Sequence, residues 1–411
     1  MKILHIVTYA AHGGAGIAAR RLHEALTTSG QESYLLCADL DGNNIVQINP
    51  LKKCGTFLSK VFNLYCSIPN YYALRIRHTS AIQYTFNGLE NKRLQSAVKR
   101  IDPDVIHLHW INDGFMDVKQ LSKFGKPVVW SCHDMWAFTG GCHYNGDCMK
   151  WETGCTQCPL LEGISRKDLA RKESELKEEA LHSIPKIRMV GLSNWMYESI
   201  KESKICGDLP ASCVPNTIDE KTFSIVLKEE ACKRLGISCS VPVILFGAMD
   251  LADERKGFKY LIEALTILSK DVEYKAIAVG NVTRELSLPS ETEVNIWGKA
   301  KNKEEMNLLY SAADVVVLPS VQENLSNMII EALLSGTPVA CFEIGGNGDM
   351  VLHQDNGYLS KEISGEGLAK AIKWILENQI LPQHCRETML DRFDNKKTVN
   401  KYIQLYKELI S

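Results

Sequence analysis

Two carboxylates, two cations and one imidazole have the types and spacing to do chemistry together. Glu323 and Glu331, with seven residues between them, lie inside the stretch Pro319–Pro338. A carboxylate can accept hydrogen bonds from two adjacent hydroxyls, as on a ribose or a hexose. Between the two glutamates, Ser326 and Asn327 offer side-chain donors and backbone N–H groups where a helix is expected to begin. A helix start favours an anion. Arg255 and Lys256 stand side by side before Gly257. Two cations there suit a diphosphate leaving group, on which charge grows as the bond to it breaks. His133 follows the apolar run that ends at Cys132.

These groups need elements to hold them. Asp314–Leu318 is a β-branched apolar run, the pattern of a buried parallel strand. A helix over 328–335 should follow, closed by Gly336 and Pro338. Glu323 then lies in the loop at the carboxyl end of a strand, with Glu331 about two turns into the helix. Ligands bind at that edge of open α/β sheets. Strands are expected at 3–7, 33–37, 105–109, 128–132, 187–192, 242–247, 274–280, 294–297 and 339–342. Helices are expected at 17–29, 165–182, 258–269, 303–312 and 366–377. Such alternation argues for an α/β fold with parallel sheets.

Gly14 and Gly16 follow the first strand and precede the helix at Ile17, where glycine allows close backbone approach to a ligand. Their spacing is not that of the dinucleotide fingerprint. Period-two alternation puts His107 and His109 on one strand face. Trp297, at a strand end, is expected to fill the core rather than stack on a base.

The chain has 411 residues, enough for two large domains, and a formal net charge of -2, which gives no case for nucleic-acid binding. No apolar run is long enough to span a membrane. The first residues read as a buried strand rather than a signal peptide, so a cytoplasmic protein with reduced thiols is expected. Of 14 cysteines, Cys142, Cys148, Cys155 and Cys158 cluster within a Gly-rich, polar stretch. A structural zinc would staple such a loop; two disulfides or free thiols are the alternatives. Residues 51–78 combine basic and aromatic side chains without an acid. They could lie on an anionic bilayer or pack as a helix with cations in solvent.

The paired glutamates, followed by Glu331-Ala332 and Gly336-Thr337-Pro338-Val339, resemble the donor-site signature of the retaining glycosyltransferases of family GT4. That resemblance implies the GT-B fold, two Rossmann-like doubly wound domains facing a cleft. The boundaries would be 1–215 and 216–391, with a cysteine-rich insert at 142–158 and a helix at 392–411 crossing back to the first domain. The donor would be a UDP- or GDP-linked sugar. The acceptor would be a glycan or a polyprenyl-linked carrier, reached at the inner face of the plasma membrane, in bacterial polysaccharide assembly. His133, Glu323 and Lys256 would be catalytic. Gly14, Gly16, Arg255, Lys256, Ser326, Asn327 and Glu331 would bind the donor, and no metal would take part in catalysis. The chain departs from the family at Ala248, where an arginine is usual, and at Thr217, where a glycine is usual. Two other readings stay open: a sugar-nucleotide epimerase of the same fold, and a silent glycan- or nucleotide-binding protein, which the missing arginine at Ala248 keeps alive.

Overall fold

The computed structural model describes residues 1–47, 83–161, 168–286 and 294–411. The segment 51–78 lies outside them. The chain divides into two compact units, Met1–Thr217 with Asn395–Ser411, and Ile218–Asp394.

In the first unit, seven parallel strands are β1 (Lys2–Ile6), β2 (Glu32–Cys37), β3 (Ile45–Gln47), β4 (Val105–Leu108), β5 (Val128–Cys132), β6 (Ile187–Gly191) and β7 (Ala211–Cys213). Their spatial order is β3-β2-β1-β4-β5-β6-β7. In the second unit, six parallel strands are β8 (Val243–Asp250), β9 (Lys275–Asn281), β10 (Val294–Gly298), β11 (Val315–Leu318), β12 (Val339–Phe342) and β13 (Gly357–Ser360). Their order is β10-β9-β8-β11-β12-β13. Strand order reverses between β1 and β4 and between β8 and β11. At such switch points the loops leave in opposite directions and open a crevice for a ligand.

Why β11 is apolar at every position is plain from its neighbours. Val315 and Val317 pack with Leu261, Leu265, Leu368 and Ile372 of the helices Phe258–Leu268 and Gly365–Asn378. Val316 and Leu318 pack on the other face with Leu309, Ile329 and Ile330 of the helices Lys303–Ala312 and Asn327–Leu334. Each fully buried side chain contributes roughly 1.5–3 kcal/mol. Trp297 is half-buried against the second of these clusters.

The last helix, Asn395–Ile410, belongs to the first unit. It packs Leu405, Tyr402 and Tyr406 against Ile3 and Val105. The expectation of reduced thiols fails at one place, where Cys232 and Cys239 form a disulfide with a Cα–Cα distance of 6.3 Å. Cys232 is near the end of a helix that Gly236 terminates in the left-handed conformation, and the turn brings Cys239 back beside it.

Candidate active site

The first turn of the second-unit site is set by glycine. Gly257 takes φ +70, and a Cβ there would collide with the Pro319 carbonyl oxygen. The loop after β8 can therefore lie directly on the loop after β11. Val321 N–H donates to the Arg255 carbonyl at 2.9 Å, and the Arg255 guanidinium donates to the Gln322 carbonyl at 2.9 Å. Lys256 Nζ then meets Glu323 Oε2 at 2.6 Å, and Arg255 Nη1 lies 3.6 Å from the same oxygen. Burial pushes the Glu323 carboxyl up, but Lys256 and then Arg255 more than offset it, and the group is held below the usual carboxylate range. The site thus keeps a buried carboxylate ionised between two cations.

Arg255 is not a solvated surface charge; it also lies 3.5 Å from Asp253. It ties the two loops together from a position seven residues after Ala248, where the usual arginine is missing. Ser326 is buried and caps the helix, which begins at Asn327. Glu331 is consequently just over one turn into that helix, not two. The Tyr310 hydroxyl donates to its carboxylate at 3.3 Å.

In the first unit, the helix after β1 starts at Gly14 rather than at Ile17, with Gly13 at φ +77 before it. Gly14 and Gly16 are therefore its first turn. First-turn N–H groups have no partner within the helix, so the two glycines fit there without breaking it. A Cβ on Gly16 would overlap the Tyr9 carbonyl, so this position holds the helix close against the loop.

His133 lies just past β5 and joins a buried row of imidazoles. His133 Nε2 is 3.0 Å from His109 Nδ1, and His109 Nε2 is 3.0 Å from His5 Nδ1. His107 stacks on His109 with ring centres 4.4 Å apart, on the strand face that alternation predicts for both. Its nitrogens meet the Tyr406 hydroxyl at 2.7 Å and the Ser131 hydroxyl at 2.8 Å. Burial pushes the whole row down, His133 to about 4 and His107 to about 3. These imidazoles are neutral at physiological pH.

Asp134, next to His133, accepts from Trp110 Nε1 at 3.0 Å and meets His143 Nδ1 at 2.6 Å. His143 Nε2 meets the Thr85 hydroxyl at 2.9 Å. Sequence reasoning missed His5, His143, Trp110 and Tyr406 as neighbours of the site. Their partners are 9 to 299 residues away, and only the strand order reveals them.

The metal question has two candidate places. Among the described residues, His5, His107 and His109 have nitrogens within 4.8 Å of one another. All of those nitrogens but His5 Nε2 are taken, by each other, His133, Tyr406 and Ser131, which makes the trio a hydrogen-bonded core. Cys142, Cys148, Cys155 and Cys158 instead surround one small cavity.

Residues 12–154 match the family described as Glycosyltransferase Family 4, and residues 241–378 match Glycosyl transferases group 1. The chain belongs to the GT4-type group 1 glycosyltransferases. N-acetyl-alpha-D-glucosaminyl L-malate synthase of Bacillus anthracis is 22% identical over 100% of this chain and 98% of its own length. UDP-Gal:alpha-D-GlcNAc-diphosphoundecaprenol alpha-1,3-galactosyltransferase of Escherichia coli is 21% identical over 54% of this chain and 60% of its own. HepE of Anabaena, solved in complex with UDP, superposes with a TM-score of 0.64 at 16% identity, covering 99% of this chain and 100% of that one. The same protein has also been solved with UDP-glucose. These likenesses show a GT-B fold. Further relatives are named for colanic acid, lipopolysaccharide core and teichuronic acid biosynthesis, and the matches span 63%, 52% and 50% of their lengths. The protein is a glycosyltransferase related to enzymes of polysaccharide biosynthesis. Among the described residues, no helix is long and apolar enough to cross a membrane.

Proposed function

We propose that this glycosyltransferase moves a sugar, with retention, from a UDP-linked donor to a glycan or polyprenyl-linked acceptor in bacterial surface polysaccharide assembly. The observation that carries the reading is the Lys256–Glu323 pair at the β8/β11 switch point, 2.6 Å long, with Arg255 beside it. UDP is favoured over GDP because HepE was solved with UDP and UDP-glucose, and the galactosyltransferase relative is named for a UDP donor. The lipid-linked acceptor rests on that relative's name alone.

The residues divide the work by charge. Before the donor binds, Glu323 keeps Lys256 from being a buried unpaired cation, which would be costly. The donor's diphosphate competes for Lys256 and frees a Glu323 oxygen to accept from the sugar hydroxyls. The N–H groups of Ser326 and Asn327, at a helix start, face the same anion. Glu331 accepts from the ribose. As the glycosidic bond breaks, Lys256 stabilises the charge that grows on the leaving phosphate. That phosphate takes the acceptor's proton on the same face of the sugar, which gives retention without a protein nucleophile.

His133 takes part as a neutral donor of a hydrogen bond. His5 Nε2 is buried with no hydrogen-bond partner. A buried N–H left unmatched is rarer than an unmatched acceptor. His5 therefore donates from Nδ1 to His109, and His109 donates from Nδ1 to His133 Nε2. The proton of His133 is left on Nδ1, where it can meet a sugar hydroxyl.

A panel of nucleotide sugars tested by thermal shift, then by product analysis with glycan acceptors, checks the reading. A UDP-sugar at ~100 times its Kd should stabilise the fold by about 2.7 kcal/mol. Donor consumed with no acceptor present and a C2- or C4-inverted sugar recovered would identify an epimerase. Absence of any nucleotide-sugar shift would leave a protein that does not use such donors.

A further inference from the structure

Between Thr139 and Leu161 the chain builds two short 3₁₀ turns, Lys150–Glu152 and Pro159–Leu161, and one isolated antiparallel bridge from Cys142 to Tyr84. Yet several of its side chains are interior. His143 is 1% exposed, Trp151 4% and Cys155 9%. A loop with so little regular structure must be held by something other than a backbone ladder. Its four cysteines all line one cavity of about 20 Å³, together with Tyr84, Gly140 and Trp151. That is room for one water-sized body. None of the four is in a disulfide.

Two further features point to thiolates rather than thiols. The Gly140 N–H donates to Cys155 Sγ at 3.1 Å. Only glycine permits this, since a Cβ would stand 2.7 Å from both the Ala170 carbonyl oxygen and the Cys155 Cβ. Lys177 is 1% exposed, and its ammonium donates to the carbonyls of Trp136 at 2.7 Å and Thr139 at 3.1 Å. It lies 3.5 Å over the Trp136 ring. Among the described residues it has no carboxylate within 4.0 Å. Glu173, one turn earlier in the helix, acts on it from beyond that distance, and a further negative group nearby would lower the cost of burying the charge. A divalent ion with four thiolates carries a formal charge of −2, and after Glu173 the groups that act most on this ammonium are Cys142 and Cys155.

We infer that Cys142, Cys148, Cys155 and Cys158 bind one structural zinc ion, with Lys177 as its buried counter-charge. Binding releases the thiol protons to solvent and draws four sulfurs to about 2.3 Å from the ion. The closed tetrathiolate set leaves no position for substrate, so the ion acts on the fold. Its effect reaches the site through the backbone. His143 follows Cys142 directly and holds Asp134, which in turn follows His133. Only this last link rests on the function proposed above.

The full-length protein, expressed without a polyhistidine tag or chelator, should contain about one zinc by elemental analysis. X-ray absorption should show four sulfur neighbours. Cys155→Ser with Cys158→Ser should lose the metal, and Cys213→Ser should keep it. Since the double variant could fail to fold, the wild type also needs a mercurial titration, in which zinc should leave as these thiols react. Lys177→Met should weaken zinc retention against a competing chelator by about tenfold. Thiol counting in denaturant with six of the 14 thiols missing, two of them in the Cys232–Cys239 disulfide, would show two disulfides in the cluster and overturn the proposal. The four cluster thiols present with no transition metal would overturn it equally. Zinc bound but His133→Ala without effect on transfer would leave the metal site standing and remove the function reading.

Discussion

At the switch point of the first sheet, the buried His5 and His109 and the half-buried His133 are neutral and linked end to end at 3.0 Å. At the switch point of the second, Lys256, Arg255 and Glu323 are all charged and gathered within 3.6 Å of one carboxylate oxygen. The same Rossmann-like frame thus solves two problems differently. On the function proposed above, a diphosphate needs charge that can be handed over, and the second unit would store its cations on an internal carboxylate for it. A sugar hydroxyl needs a donor pointing one way, and the row of imidazoles in the first unit would fix the tautomer that supplies it. Charge gives strength, and the neutral row gives direction.

The comparison breaks first at Lys256. Lys256→Met should lower kcat/KM about 10³-fold, near 4 kcal/mol, because the leaving group loses its cation. Steady-state kinetics with the true donor and acceptor measures it, and a loss under tenfold would remove Lys256 from the chemistry. Glu323→Gln should lower kcat by about 10²-fold while donor affinity shifts by less than about threefold. Calorimetry beside single-turnover rates separates the two. Glu331→Gln should do the reverse, weakening donor binding about tenfold with kcat nearly unchanged.

Acid should then tell the units apart. His133 falls from an ordinary 6.5 to about 4, chiefly through burial, with Asp134 offsetting part of the effect. Between those pH values the unfolded chain binds a proton that the folded chain does not. Stability is therefore intact above pH 6.5 and is lost as pH falls toward 4, by at most about 1.4 kcal/mol per pH unit for each such histidine. Glu323 is also shifted down, but from an ordinary 4.5, so its contribution is intact above that pH and is lost only as pH falls further. Hydrogen exchange at pH 7, 6 and 5 should show protection declining in residues 1–217 before residues 218–394. Equal decline in both would mean that the histidine row carries no such cost. The smallest effect belongs to His109→Gln, which should cost His133 its orientation and lower kcat about fivefold, near 1 kcal/mol. Nitrogen NMR of His133 should show the Nδ1–H form in the wild type and a mixture in the variant.

Much of this was legible in the chain and some was not. The strand 128–132 and the helix 303–312 stand where their patterns put them, because apolar runs and caps are local signals. β3 and β7 are three residues each and half-buried, too short to show a period. β13 begins with Gly357, which reads as a breaker until Val339 is found beside it. Glu323 and Lys256 could each be singled out, but their direct pairing across 67 residues depends on β8 lying next to β11. His107 and His109 could be placed on one face. Their contact with His5 needed β1 to be the neighbour of β4.

The helix Asn395–Ile410 has a consequence for how the protein is made. Its Tyr406 hydroxyl occupies His107 Nδ1, and its Tyr402 hydroxyl lies 3.2 Å from the Ser131 hydroxyl. A ribosome delivers these tyrosines only after the whole of residues 218–394 has been synthesised. Until then the nascent first unit carries an uncovered patch around Ile3 and Val105 and an imidazole lacking its partner. The second unit, contiguous in the chain, can close first. This helix, made after the second unit, is therefore what completes the first half of the enzyme.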